Sequence, residues 1–101
     1  MSFIPAVAAV DTIEKEAIPT LRFASRDVLS DPLAQLRRQA DASRAAALGN
    51  NYHGKLDIYF QTAEGQTMRV ATTVWAAHDE YLSLKAGLTL PLQAVLGFDF
   101  Y

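Results

Sequence analysis

The sequence predicts an α+β domain in which one amphipathic helix precedes a five-stranded antiparallel meander that curls toward a small barrel. Three observations predict it. Apolar residues recur at helical spacing between Asp31 and Gly49, the period changes to two after Gly54, and turn-forming clusters then punctuate the chain to its end. The 101 residues suit a single domain with one core. It divides into an irregular N-terminal segment over 1–30, a helix over 31–49 and a β-meander over 54–100.

The opening stretch Met1–Val10 is apolar, but no Lys or Arg precedes it and Pro5 interrupts it. The expectation is a segment that docks on the domain or frays, rather than a secretory leader. Residues 8–17 have the composition for a helical turn or two. Ile18 to Phe23 is expected to run extended, because the residue before Pro19 avoids the α region. Ser25 is placed to cap a short turn through Val28 and Leu29.

Asp31-Pro32 is the clearest helix start, a capping carboxylate followed by a proline whose missing donor costs nothing at the first helical position. Leu29, Leu33, Leu36, Ala40 and Ala47 form the expected apolar stripe, with Arg37, Arg38, Gln39, Asp41 and Arg44 off it. Gly49 is expected to end the helix. The alanines toward its end suggest close approach to another surface or, equally on propensity, an alanine-rich solvated tail.

Lys55 to Thr62 alternates, with Leu56, Ile58 and Phe60 on one face and Lys55, Asp57, Tyr59 and Gln61 on the other. Ala63 to Gln66 is a tight turn, and Thr67 to Ala77 a second strand long enough to bend. Turns at His78–Glu80 and Gly87 separate a third strand, Tyr81 to Ala86, from a fourth, Leu88 to Leu92. A short turn at 93–95 leads to a last strand over Leu96 to Phe100. Pro91, which has no N–H to give a ladder, belongs at a strand end or sheet edge.

Half of the residues are hydrophobic and 20% are charged, which predicts a folded chain. There is no cysteine, so disulfides, thiolate metal sites and cysteine nucleophiles are excluded, and a reducing cytoplasm is the expected location. No run of apolar residues is long enough to span a membrane. The net charge is −2, and the second half of the chain offers only Lys55, Arg69 and Lys85 as cations, so nucleic acid is not favoured as a partner.

Lys55–Phe60, Glu64-Gly65, Thr72-Thr-Val-Trp-Ala76, Leu84-Lys-Ala-Gly87 and Leu90-Pro-Leu92, together with Ala47-Leu-Gly-Asn50, form a pattern across residues 47–98. It resembles a group of short bacterial proteins, mostly from Bacteroidota, to which no activity is attached. By element order alone, a helix followed by five short strands also resembles SH3/Sm-like barrels and Rof, the small inhibitor of the Rho terminator. That resemblance implies rings, RNA contact or docking onto a larger machine. Sm-type Gly and Asp/Asn signature positions are absent from the expected places.

No phosphate-cradling glycine loop, nucleophile elbow or dinucleotide fingerprint occurs. His53 and His78 each fall in a turn, and His78-Asp79-Glu80 on one hairpin is a poor geometry for converging on an ion. No cofactor, metal site or catalytic group is expected. Trp75 reads as core; otherwise it joins Tyr59 and Tyr81 in an exposed aromatic face of the kind enriched at binding sites. Phe98, Phe100 and Tyr101 make an aromatic ending that either docks on its own domain or meets a second copy. The expected function is a non-catalytic interaction or regulatory module, a homodimer or other self-associating protein, with a protein partner also compatible. The alternatives are an Sm-like RNA-binding protein using Arg37, Arg38, Arg44, Lys55 and Arg69 as phosphate contacts, and a small enzyme with a non-local active site.

Overall fold

The computed structural model describes residues 10–101, so the expectation for the opening apolar segment falls largely outside it. The elements run β1 (Asp11–Ile13), a 3-10 helix (Lys15–Thr20), α1 (Pro32–Tyr52), β2 (Leu56–Gln61), β3 (Thr67–Thr72), β4 (Val74–Ala77), β5 (Tyr81–Leu84), a turn over Lys85–Gly87, β6 (Thr89–Pro91), a 3-10 turn (Leu92–Ala94) and β7 (Val95–Asp99). The helix is therefore internal rather than N-terminal. Ahead of it, the helical turn expected over 8–17 is met only at Lys15–Ala17, since Asp11–Ile13 form the edge strand β1, and the 3-10 helix continues through Ile18 to Thr20 where extended chain was expected.

The strands form two sheets in the orders β1-β3-β2-β7 and β4-β5-β6. All pairings are antiparallel except β1 with β3. The expected second strand is β3 and β4 together, broken at Thr73, so that one run of chain serves both sheets. Pro91 closes the edge strand β6, as its missing donor requires.

Alternation along β2 points Leu56, Ile58 and Phe60 inward, where they meet Val70, Val74, Leu82, Leu84, Leu90 and Val95 in one buried cluster. A fully buried side chain of this kind stabilises the fold by about 1.5–3 kcal/mol relative to exposure. Ile18 reaches the same cluster, and the Phe23 ring tilts onto Phe60 with centroids 6.0 Å apart. Residues 18–29 thus pack on the domain. They are held by Ala63 N–H to the Arg22 carbonyl, Val28 N–H to the Gln93 carbonyl and the Gln93 side chain to the Ala24 carbonyl.

The helix packs on β4 and β7 through Arg38, Ala42, Ala45 and Gly49. This corrects the expected leucine stripe: Leu33 and Leu36 are 53% and 68% exposed, and Ala40 and Ala47 also face water. The reason is steric. A Cβ on Gly49 would lie 1.9 Å from the Val74 carbonyl oxygen, a separation that only a row of small side chains permits. Gly49 is consequently an internal contact and not the helix end. The helix continues to Tyr52 and is capped by His53, which adopts a left-handed conformation (φ 53°) and bonds its N–H to the Gly49 carbonyl. At the other end Asp31 accepts from the Leu33 N–H, as expected.

Candidate functional site

Where the first turns of α1 pass β7, the chain leaves a cleft of about 330 Å³ lined by Leu29, Ala34, Arg37, Arg38, Asp41, Arg44, Leu96, Gly97, Phe98 and Phe100. Two local features build it. Arg37, Asp41 and Arg44 stand four and three residues apart, which stacks them on one helix face. Across the cleft, Tyr59 pairs with Gly97 but Phe60 pairs with Val95, so Leu96 is the extra residue of a β-bulge. Bulges re-aim side chains, and Leu96 is among those lining the cleft.

Arg38 is the fixed point of this site. Its terminal nitrogens lie 2.7 and 2.6 Å from the two carboxylate oxygens of Asp27, and one also donates to the Val95 carbonyl at 3.1 Å. The same Asp27 accepts from the Leu29 N–H at 2.8 Å. The Arg38 guanidinium, followed by the Leu29 amide, holds the Asp27 carboxyl below the usual carboxylate range against the opposing effect of burial. The Arg38 side chain is only 6% exposed, yet its Nε has no hydrogen-bond partner among the described residues. Arg44 sits over the cleft wall, its guanidinium carbon 4.1 Å from the centre of the Phe100 ring. Neither Arg37 nor Arg44 forms an ion pair among the described residues.

Three of the five cations expected to contact phosphate thus share one cleft, but Arg38 is buried rather than on the surface. The other two stand elsewhere. Lys55 is exposed ahead of β2, and Arg69 on β3 donates to the Thr12 hydroxyl at 3.0 and 2.7 Å and reaches the Tyr59 hydroxyl at 3.5 Å.

The aromatic residues do not form the single exposed face expected of Tyr59, Trp75 and Tyr81. Tyr59 is buried, although alternation puts it on the outer side of β2. Trp75 is half-buried, the unpaired residue of a bulge between Val74 and Ala76, with its ring edge-on to His53 at 5.4 Å. Its carbonyl accepts from the Asn50 side chain. Tyr81 is exposed and stacks on His78, centroids 4.4 Å apart. Of the ending, Phe98 is buried and Phe100 half-buried in the cleft, while Tyr101 is exposed and donates to Asp57 at 2.8 Å.

His78 bonds to the Ser83 hydroxyl at 3.1 Å, and among the described residues no three His, Asp or Glu side chains stand close enough to share a metal ion. No helix among them is long and apolar enough to cross a membrane. Sequence reasoning missed Asp27, Asp41, Leu96 and Gly97 as parts of the site. The Arg37/Asp41/Arg44 spacing was a usable signal; the bulge at Leu96 and the pairing of Asp27 with Arg38 had none.

No protein-family model matches the chain, and neither does any curated protein or solved structure.

Proposed function

We propose that this protein is a non-catalytic binding module, an interaction or regulatory domain that captures an anionic group in the cleft between α1 and β7. The placement of Arg37 and Arg44 supports this most directly: neither is ion-paired among the described residues, and both line one concave site whose other walls are largely apolar, which favours an anionic partner for their guanidinium groups. The test is an NMR titration of labelled protein with inorganic phosphate, a carboxylate and a short single-stranded RNA. Saturable shifts confined to α1 and β7 and weakened by Arg44→Gln are expected; no response to any anion ends the reading.

The Sm-like RNA-binding alternative rests on the same arginines, with the small barrel as its framework. The bend at Thr73, which hands one strand from sheet to sheet, and the 3-10 turn before β7 support the barrel. RNA affinity that falls steeply with salt would favour this alternative over the first. A homodimer or other self-assembly is the companion proposal, supported by the exposed Leu33 and Leu36. Sedimentation that stays monomeric across concentrations ends it. The absence of cysteine supports a cytoplasmic setting.

A further inference from the structure

The cleft continues past Arg44. A second hollow of about 270 Å³ lies toward the C-terminal end of α1, between Leu48, Tyr52 and Tyr101, and it shares Arg44 and Phe100 with the first. One groove therefore runs along α1, divided where Arg44 sits over Phe100. Its helical wall is Ala34, Arg37, Asp41, Arg44, Leu48 and Asn51, alternate steps of three and four residues. At 1.5 Å per residue this row is about 25 Å long.

A free ion would leave most of that length wet, because the lining beyond the charged row is largely apolar: Leu96, Phe98 and Phe100 in the first hollow, Leu48, Phe100 and Tyr101 in the second. A polypeptide can cover it. Strand addition is disfavoured at the adjoining edge of β7, where Arg38 already takes the Val95 carbonyl and the bulge at Leu96 interrupts the ladder. A helix inserts side chains rather than backbone, and two separate hollows suit two large apolar side chains about seven residues apart on one ridge.

The partition between the hollows is cationic. Arg44 stands there, exposed and without an ion pair among the described residues, and Arg37 precedes it by one heptad on the same helix face. The chain does not itself answer this charge: residues 1–9 contain no Asp or Glu, and Asp41 is the one acid within α1, so a second α1 brings a single carboxylate against two arginines.

We infer, resting on the anion reading above, that the groove binds an amphipathic helix of a protein partner, with a large apolar side chain in each hollow and an Asp or Glu between them facing Arg44. A carboxylate three or four residues after the first apolar anchor stands on the ridge that carries both. It also offers guanidinium donors a charged, planar acceptor that an amide does not replace.

The probe is a displayed library of alanine-based helical peptides of about 18 residues, randomised along one face. Selection on the full chain is expected to enrich large apolar residues about seven apart, with Asp or Glu three or four after the first. By calorimetry, the selected peptide should bind at least about tenfold more weakly to Arg44→Gln, and equally so when its own acid is changed to the amide. The two changes together should cost little more than either alone, as for a direct pair. Ala47→Glu, at an exposed position lining the second hollow, should abolish binding with the circular dichroism spectrum unchanged. Enriched peptides that lack an acid, or binding indifferent to Arg44→Gln, overturn the inference. So does enrichment without a helical period, or none at all; amide shifts in α1 and β7 with inorganic phosphate or acetate would then leave the anion reading standing. Silence from the library and from every anion removes both. Dimerisation with amide shifts confined to α1 and residues 96–101 assigns the groove to a second copy and likewise overturns the partner helix.

Discussion

Asp27 and Arg38, eleven residues apart, meet as a two-point pair with N–O distances of 2.6 and 2.7 Å at the edge of the core. Removing one partner strands the other, so Asp27→Ala is expected to cost about 3 kcal/mol, read from denaturant unfolding. The double change Asp27→Leu with Arg38→Met should recover part of that loss, because no buried charge is then left alone. If the single variant is as stable as the parent, the pair contributes nothing.

The same pair sets an acid limb. Because the folded-state pKa of Asp27 lies below its ordinary 3.8, the stabilisation is complete above that value. As the pH falls from there through the folded pKa, the unfolded chain takes up the proton first and the stabilisation is lost. Unfolding free energies across this range should therefore fall less steeply for Asp27→Asn than for the parent; parallel curves would contradict the coupling.

Gly49→Ala tests the helix approach. Alanine improves helix propensity by about 1 kcal/mol, but the added methyl meets the Val74 carbonyl oxygen at 1.9 Å, a backbone atom that cannot swing aside. Overpacking of this kind costs about 1–3 kcal/mol or more, so a net loss is expected, with amide shifts concentrated in β4. A stabilised variant would mean that the helix does not sit on Val74 as described.

Ala86 carries a left-handed backbone (φ 68°) beside Gly87 (φ 74°) in the turn between β5 and β6. A side chain there is strained by about 1–2 kcal/mol, part of which glycine returns as unfolded-chain entropy. Ala86→Gly should raise the thermal midpoint modestly and Gly87→Ala should lower it. The opposite order would place the turn in another conformation.

Tyr101, just past β7, lines the second hollow with Arg44, Phe100 and the end of α1. Partial burial of its hydroxyl, and then its hydrogen bond to Asp57, push its pKa up to about 12, although the ring is exposed. A raised tyrosine pKa means that the folded chain holds the proton, so this contribution is full below the ordinary value of 10 and is lost as pH rises toward 12. Ring carbon shifts should place the Tyr101 titration above the ordinary tyrosine value of 10, and Asp57→Asn should bring it down. Unchanged titration in that variant would show that Asp57 plays no part.

Strand positions after Gly54 were legible because alternation and turn chemistry act locally, whereas β1 was not. Leu56, Ile58 and Phe60 face inward as their spacing requires, and Gly65, Gly87 and Pro91 sit where backbone sterics send them. The helix face was misread because leucine size argues for burial only where a deep partner surface exists. Here the partner is the backbone of β4, and small residues win the contact. Trp75, read as core, is only half-buried, and Leu96 went unrecognised as part of the cleft, because each occupies a bulge, which resets the alternation without a mark in the sequence. The cleft depends on pairs such as Arg38 with Val95, 57 residues apart, and no local pattern announces contacts of that range.

Between Thr72 and Val74 the chain leaves one sheet and enters the other, with Thr73 alone in between and its carbonyl taken by the Lys85 N–H. A junction one residue long leaves nowhere for the halves to part company. Hydrogen exchange in β2 and in β5 should therefore report a common opening event, and among the described residues a ligand-driven rotation of one half against the other is not expected.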